Sequence, residues 1–137
     1  SIIEGQKVSG LFNLSENIIE KLAYEKKWII NYFIFLLNLL KIIGYDIDYQ
    51  KNTSKDYLNL DSLQFSNLSI AKSIKFPHLL LNSKNDINLE NANSFFKVFE
   101  IILQNHHLNN MNLNIPTNYF KFKKIILNFL IKNEKHN

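Results

Sequence analysis

Residues 28–43 would be apolar on nearly every face of a helix, and nothing else in the chain constrains its fold as much. Trp28, Ile29, Phe33, Leu36, Leu37, Leu40 and Ile43 form one stripe at helical spacing, and Ile30, Ile34, Phe35, Leu39 and Ile42 fill the other faces. A helix with so little polar surface has to be surrounded, by protein or by lipid. The run is 16 residues long and carries Asn31, Asn38 and Lys41, whereas a spanning helix needs about 20 predominantly apolar residues. The sequence therefore predicts a buried helix near 26–43 in the middle of a bundle. Gly44 stands where a C′ glycine would end it.

Three weaker helices surround this one in sequence. Near 14–24, Leu14, Ile18 and Leu22 make a one-sided stripe with Ile19 and Ala23 beside it, and Asn13 or Ser15 can cap it. Near 89–107, Ala92, Phe95, Phe96, Phe99, Ile102, Leu103 and His106 follow the i, i+3, i+4, i+7 pattern, with Asp86 or Asn88 as the cap. Pro116 suits the first turn of a last helix near 117–132, and the polar residues 133–137 read as a fraying tail. Phe33, Leu37, Leu40, Phe95, Phe99, Ile102 and Ile126 are the expected shared core.

Residues 45–85 have another texture. Tyr57-Leu58-Asn59-Leu60-Asp61 partly alternates, and Leu63-Gln64-Phe65-Ser66-Asn67-Leu68 alternates again with a slip at Asn67. Two period-2 runs around a short polar turn predict a small hairpin. Residues 69–74 are expected to form at most a short helix, which Phe76-Pro77 breaks. Residues 79–81 read as a helical turn or a buried loop. The fold class is thus mainly α: one compact helical bundle over 1–132 with a small irregular or β-hairpin insertion at about 45–85.

Composition excludes more chemistry than it suggests. The chain has 137 residues, 46% hydrophobic and 20% charged, with three Gly and two Pro. That suits one globular domain, not a disordered or turn-rich chain. With no Cys, a disulfide scaffold, a thiol nucleophile and a Cys-ligated zinc site are all excluded. There is no phosphate-cradling glycine loop, no Gly-x-Ser-x-Gly and no His-Glu-x-x-His. Asp46 and Asp48 form the closest acidic pair, and a solvated turn is their plain reading. His106 and His107 are adjacent, so on a helix they point roughly 100° apart and cannot clamp one metal together. His78 has no partner nearby in sequence. No enzymatic activity, cofactor or metal is expected. No basic and apolar leader opens the chain, so no secretion signal is expected and a cytoplasmic location is.

Charge is the most informative feature that remains. The net charge is +4, and all 16 basic residues are Lys. No acid occurs between Glu100 and Glu134, so residues 101–137 carry five Lys and one Glu. In the last helix Lys121, Lys124, Asn128, Lys132 and Lys135 fall on one face, away from Phe122, Ile126, Phe129 and Leu130. Lys121, Lys124 and Lys132 are the candidate nucleic-acid contacts. A lysine row can follow phosphates but cannot read bases. It is equally what a solvated helix face looks like.

The segment Phe35-Leu36-Leu37-Asn38-Leu39-Leu40-Lys41-Ile42-Ile43-Gly44-Tyr45-Asp46-Ile47-Asp48 resembles a signature of the bacterial recombination mediator RecO. In that family it reads Phe-Glu-Leu-x-Leu-Leu-x-x-x-Gly-(Phe/Tyr)-x-(Leu/Pro)-(Asp/Glu). Tyr57-Leu58-Asn59-Leu60 resembles the family's short strand after the signature, and Ile74-Lys75-Phe76-Pro77 its pre-helical turn. Phe96 to Leu108 resembles the helix that ends in a His-Leu pair. Ile115-Pro116 to Leu127 resembles the closing helix, with Lys in place of Arg. The resemblance covers roughly residues 11–131. The family's Glu falls at Leu36 and its preceding basic residue at Ile34. Many relatives hold a Cys-ligated zinc in the middle insertion; here Tyr57, Leu60 and Phe65 would have to hold the hairpin by packing.

The resemblance implies the C-terminal helical domain of a RecO-like protein, without zinc. The family's N-terminal OB-fold would precede Ser1 and is absent from this chain. It implies non-enzymatic work in DNA repair and recombination after DNA damage. That work is binding and annealing of single- and double-stranded DNA, and contact with RecR and single-stranded-DNA-binding protein. Two other readings of the residues stay open: a helical protein-interaction domain without nucleic-acid contact, and a membrane-surface helical protein using residues 28–43.

Overall fold

The structure, a computed structural model, describes residues 26–82 and 87–135. The helix expected near 14–24, with its caps Asn13 and Ser15, lies outside the described residues, as do Asp86, His136 and Asn137.

Helix α1, Lys26–Ile42, is the central helix the sequence predicts. It ends in a Schellman motif: the Tyr45 N–H donates to the Leu40 carbonyl at 2.8 Å and the Gly44 N–H to the Lys41 carbonyl at 3.1 Å. Gly44 has φ 108°, a conformation in which a Cβ would be strained.

A three-stranded antiparallel sheet follows, in the order β2-β1-β3, with β1 Tyr57–Asn59, β2 Phe65–Ser66 and β3 Ser73–Lys75. The expected hairpin is β1–β2, which pairs Tyr57 with Ser66 and Leu58 with Phe65. Its turn is held by the Asn59 carboxamide oxygen, which accepts the N–H groups of Asp61 and Ser62, both at 2.9 Å. Phe65 and Leu60 pack against the core as expected, Tyr57 is not part of that packing, and Leu58 is the further contributor. Leu58 is fully buried, Phe65 is buried, and Tyr57 and Leu60 are only half-buried. Residues 69–74 form no helix. Lys72 takes φ 65°, and β3 then pairs with the free edge of β1, Tyr57 with Lys75, Leu58 with Ile74 and Asn59 with Ser73.

The short helix α2, His78–Asn82, leads toward helix α3, Leu89–Ile102. Asn88 caps α3, its side-chain oxygen accepting the Asn91 N–H at 2.8 Å. The α-helix expected to reach residue 107 stops at Ile102 and widens into a π-helical turn, Leu103–Leu108. The Tyr45 hydroxyl donates to the His106 carbonyl at 2.8 Å within that turn. A 3₁₀ turn, Asn109–Met111, precedes helix α4, Thr117–Lys135. The helix thus runs through residues 133–135, which the sequence reading assigned to a fraying tail. Its Glu134 carboxylate accepts the Leu89 N–H at 2.7 Å, so the end of α4 caps the start of α3.

All seven expected core residues are buried. Phe33 of α1 stacks on Phe95 of α3, centroids 4.3 Å apart, and meets the edge of Phe96 at 5.2 Å. Tyr32 and Trp28 of α1 meet Phe122 of α4 at 4.3 and 5.1 Å. Phe99 and Tyr119, 5.5 Å apart, close α3 onto α4. Yet α1 is not enclosed all round. Asn31, Phe35, Asn38, Lys41 and Ile42 remain exposed, Ile42 at 80%.

Candidate nucleic-acid interface

The last helix positions the candidate residues. Proline cannot donate an N–H, and Pro116 sits where none is needed; its carbonyl accepts the Tyr119 N–H at 3.1 Å to begin α4. Tyr119, Phe122, Ile126 and Leu130, three or four residues apart, are buried along one side. Lys121, Lys124, Asn128 and Lys132 are exposed along the opposite side. From Lys121 to Lys132 the row is about 16 Å long, roughly the axial rise of five phosphates in one B-form strand. The side chain of Lys135, which would extend it, lies outside the described residues.

Lys123 belongs to a different group. Its ammonium lies 2.7 Å from a Glu100 carboxylate oxygen, with both side chains about one-quarter exposed or less. The Tyr119 hydroxyl donates to the same oxygen at 2.9 Å. Burial, and then the neighbouring Glu100 carboxylate, raise the Tyr119 pKa well above the ordinary tyrosine value; burial alone raises that of Tyr32. Lys123 therefore neutralises the last acid before the acid-free stretch. The ammonium groups of Lys121, Lys124 and Lys132 form no salt bridge among the described residues. Among the described residues the row thus presents positive charge that no carboxylate pairs.

Asp46 and Asp48 are exposed in the loop after α1, on an open cleft of about 280 Å³ that also includes Lys41 and Lys51. His106 Nε2 lies 2.6 Å from the Leu60 carbonyl, so this nitrogen carries a proton and ties the π turn to the hairpin. His106 is thus half-buried on the apolar side, as its place in the stripe suggests. His107 Nδ1 is 3.4 Å from the Tyr45 hydroxyl. His78 finds its partner 23 residues away, its Nε2 lying 2.8 Å from the Lys55 carbonyl. Among the described residues no group of three or more His, Asp or Glu could hold a metal ion, and no helix is long and apolar enough to cross a membrane.

The sequence reading missed two constellations. Tyr45 is a hub whose ring lies 5.7 and 5.6 Å from the rings of His106 and His107. Nothing local signals this; only its place just after the C′ glycine fixes where it points. The Tyr119–Glu100–Lys123 group joins residues 19 and 23 positions apart. Its one sequence signal is Glu100 itself, the last carboxylate before a stretch whose only charged residues up to 133 are lysines.

Compared with protein-family models, with curated proteins and with solved structures, the chain matches none.

Proposed function

We propose that this chain is a non-enzymatic nucleic-acid-binding module of DNA repair and recombination, of the RecO C-terminal type. The observation that carries the reading is the lysine row: Lys121, Lys124 and Lys132 are exposed opposite the buried side of α4, in a segment without acids from residue 101 to 133. Lysine ammonium groups act on phosphates as point charges and lack the planar fork of Arg. Binding is therefore independent of sequence, with a dissociation constant in the range of about 10⁻⁴–10⁻⁶ M at physiological salt. The ordered resemblance across residues 11–131 supports the recombination context. It also supports the partners: single- and double-stranded DNA, RecR and single-stranded-DNA-binding protein.

Fluorescence anisotropy with a labelled single strand and a duplex, across a salt series, tests the reading. Each of the three lysines changed to Ala lowers the salt slope by about one counterion, whereas Lys75→Ala on β3 changes it little. Reversal of all three to Glu nearly abolishes binding and leaves the melting temperature close to the parent's. If the triple variant binds DNA as tightly as the parent, the row is only a solvated surface. A second reading, a protein-interaction domain, is favoured by exposed Ile42, Leu68 and Ile70. It predicts that the triple variant leaves every binding property of the chain unchanged.

A further inference from the structure

We propose that α4 selects single strands over duplexes, with Phe120 stacking on an unpaired base while Lys121 and Lys124 hold the neighbouring phosphates. This rests on the nucleic-acid reading above and names the substrate class of that site. Phe120 is 43% exposed, although it lies in the first turns of a helix that buries Tyr119 and Phe122 on either side of it in sequence. Lys121 follows it directly, and Lys124 lies one turn further along the same side of the helix. The aromatic ring is thus interleaved with two exposed cations.

The ring is also propped in place. Tyr119 meets it edge-on, with centroids 5.1 Å apart and planes at 78°. The Lys123 ammonium lies 5.9 Å from its centroid and is itself held by Glu100 at 2.7 Å. A ring supported in this way loses little side-chain freedom when a base packs on it, which favours binding. The lysines alone would not prefer a single strand, because a duplex carries more phosphate charge per unit length. A preference for single strands must come from a contact that a duplex cannot offer. Duplex bases are already stacked and shielded in the helix, whereas an unpaired base has a free π-face. Every base has such a face, so the selection is by strandedness and not by sequence.

The test titrates the whole chain with a labelled thymidine oligonucleotide and with a duplex of equal length. Four proteins are compared: the parent, Phe120→Ala, Phe120→Trp and the triple Lys→Glu variant of residues 121, 124 and 132. Thermal melts confirm that each is folded. Phe120→Ala lowers single-strand affinity at least about fivefold, the lower end of what one base–aromatic stack contributes. Its duplex affinity and the salt slope on both ligands stay at the parent's values, since no phosphate contact is lost. Phe120→Trp keeps or raises single-strand affinity. Phe35→Ala, on α1 and 42% exposed, changes nothing and controls for loss of an exposed ring. Unchanged single-strand affinity in Phe120→Ala, or an equal loss on both ligands, overturns the proposal. So does a polyglutamate that competes as strongly as the oligonucleotide, because it has charge but no bases. If the triple variant binds like the parent, the nucleic-acid reading itself fails. If the triple variant loses binding and Phe120→Ala does not, only the stacking role fails.

Discussion

Phe33 and Phe35 stand two residues apart on α1, and replacing each by Ala should have very different consequences. Phe33 is fully buried, stacked on Phe95 at 4.3 Å and set edge-on to Phe96 at 5.2 Å. Phe→Ala at such a position costs about 3–5 kcal/mol. The two aromatic pairs, each worth about 0.5–1.5 kcal/mol beyond area, place the loss toward the upper end. Phe35 is 42% exposed, and Tyr32 at 6.3 Å is its ring neighbour. Roughly half the burial of a Phe side chain is worth about 1 kcal/mol, and the better helix propensity of Ala offsets about half of that. The difference between the two variants should therefore be about 4 kcal/mol. Urea unfolding followed by the fluorescence of Trp28, which stacks on Tyr32 at 5.5 Å, measures both. With a urea slope of about 2 kcal/mol per molar, the Phe33→Ala midpoint falls by about 2 M and the Phe35→Ala midpoint by a few tenths. Two variants within about 1 kcal/mol of each other, the size of ordinary context effects, would refute the assignment of the inner face of α1.

Three further outcomes follow from local physics. Gly44→Ala should cost about 1–2 kcal/mol in the same urea assay, because the φ of 108° strains any Cβ although nothing lies within 4 Å of it. Alkaline pH should unfold the protein: Tyr32 and Tyr119 both have raised pKa values in the fold. The unfolded chain therefore releases their protons first, and stability falls by about 1.4 kcal/mol per pH unit for each tyrosine above about pH 10. In a pH series of melts, Tyr119→Phe should roughly halve that slope, and an unchanged slope would contradict the cause given. Finally, protein purified without a His tag should hold no stoichiometric zinc by elemental analysis and should melt at the same temperature with a chelator, since ring nitrogens of His78 and His106 bond backbone carbonyls.

The helical part of this fold is legible because its signals are local. Spacing at i, i+3 and i+4 places Phe95, Phe99 and Ile102 on one side of α3 without reference to any neighbour. A C′ glycine and an Asn cap act within one turn of their own positions, and both Gly44 and Asn88 do as expected. Lys121, Lys124 and Lys132 are likewise a matter of helical phase, and all three are exposed. The strands were less legible. Residues 73–75 lack a period-2 signal of their own, and β3 exists because β1 offers an unpaired edge. The change from α to π at Leu103 has no local signal, and the Tyr45 hydroxyl that meets the π turn at the His106 carbonyl comes from 61 residues away.

Sequence alone determined helices α1, α3 and α4, the apolar seam they share and the acid-free lysine face of the last. Each follows from residues within a few positions of one another along one helical surface. Which rings the inner face of α1 meets was beyond it, because Phe33 on Phe95 and Tyr32 on Phe122 are brought together only by the positions of α3 and α4. The same holds for charge. The tertiary structure alone decided that Lys123, and not its neighbour Lys121 or Lys124, pairs with Glu100. An ion pair is set by the distance between two side chains in space, and 23 residues of intervening chain leave that distance to the packing of the helices.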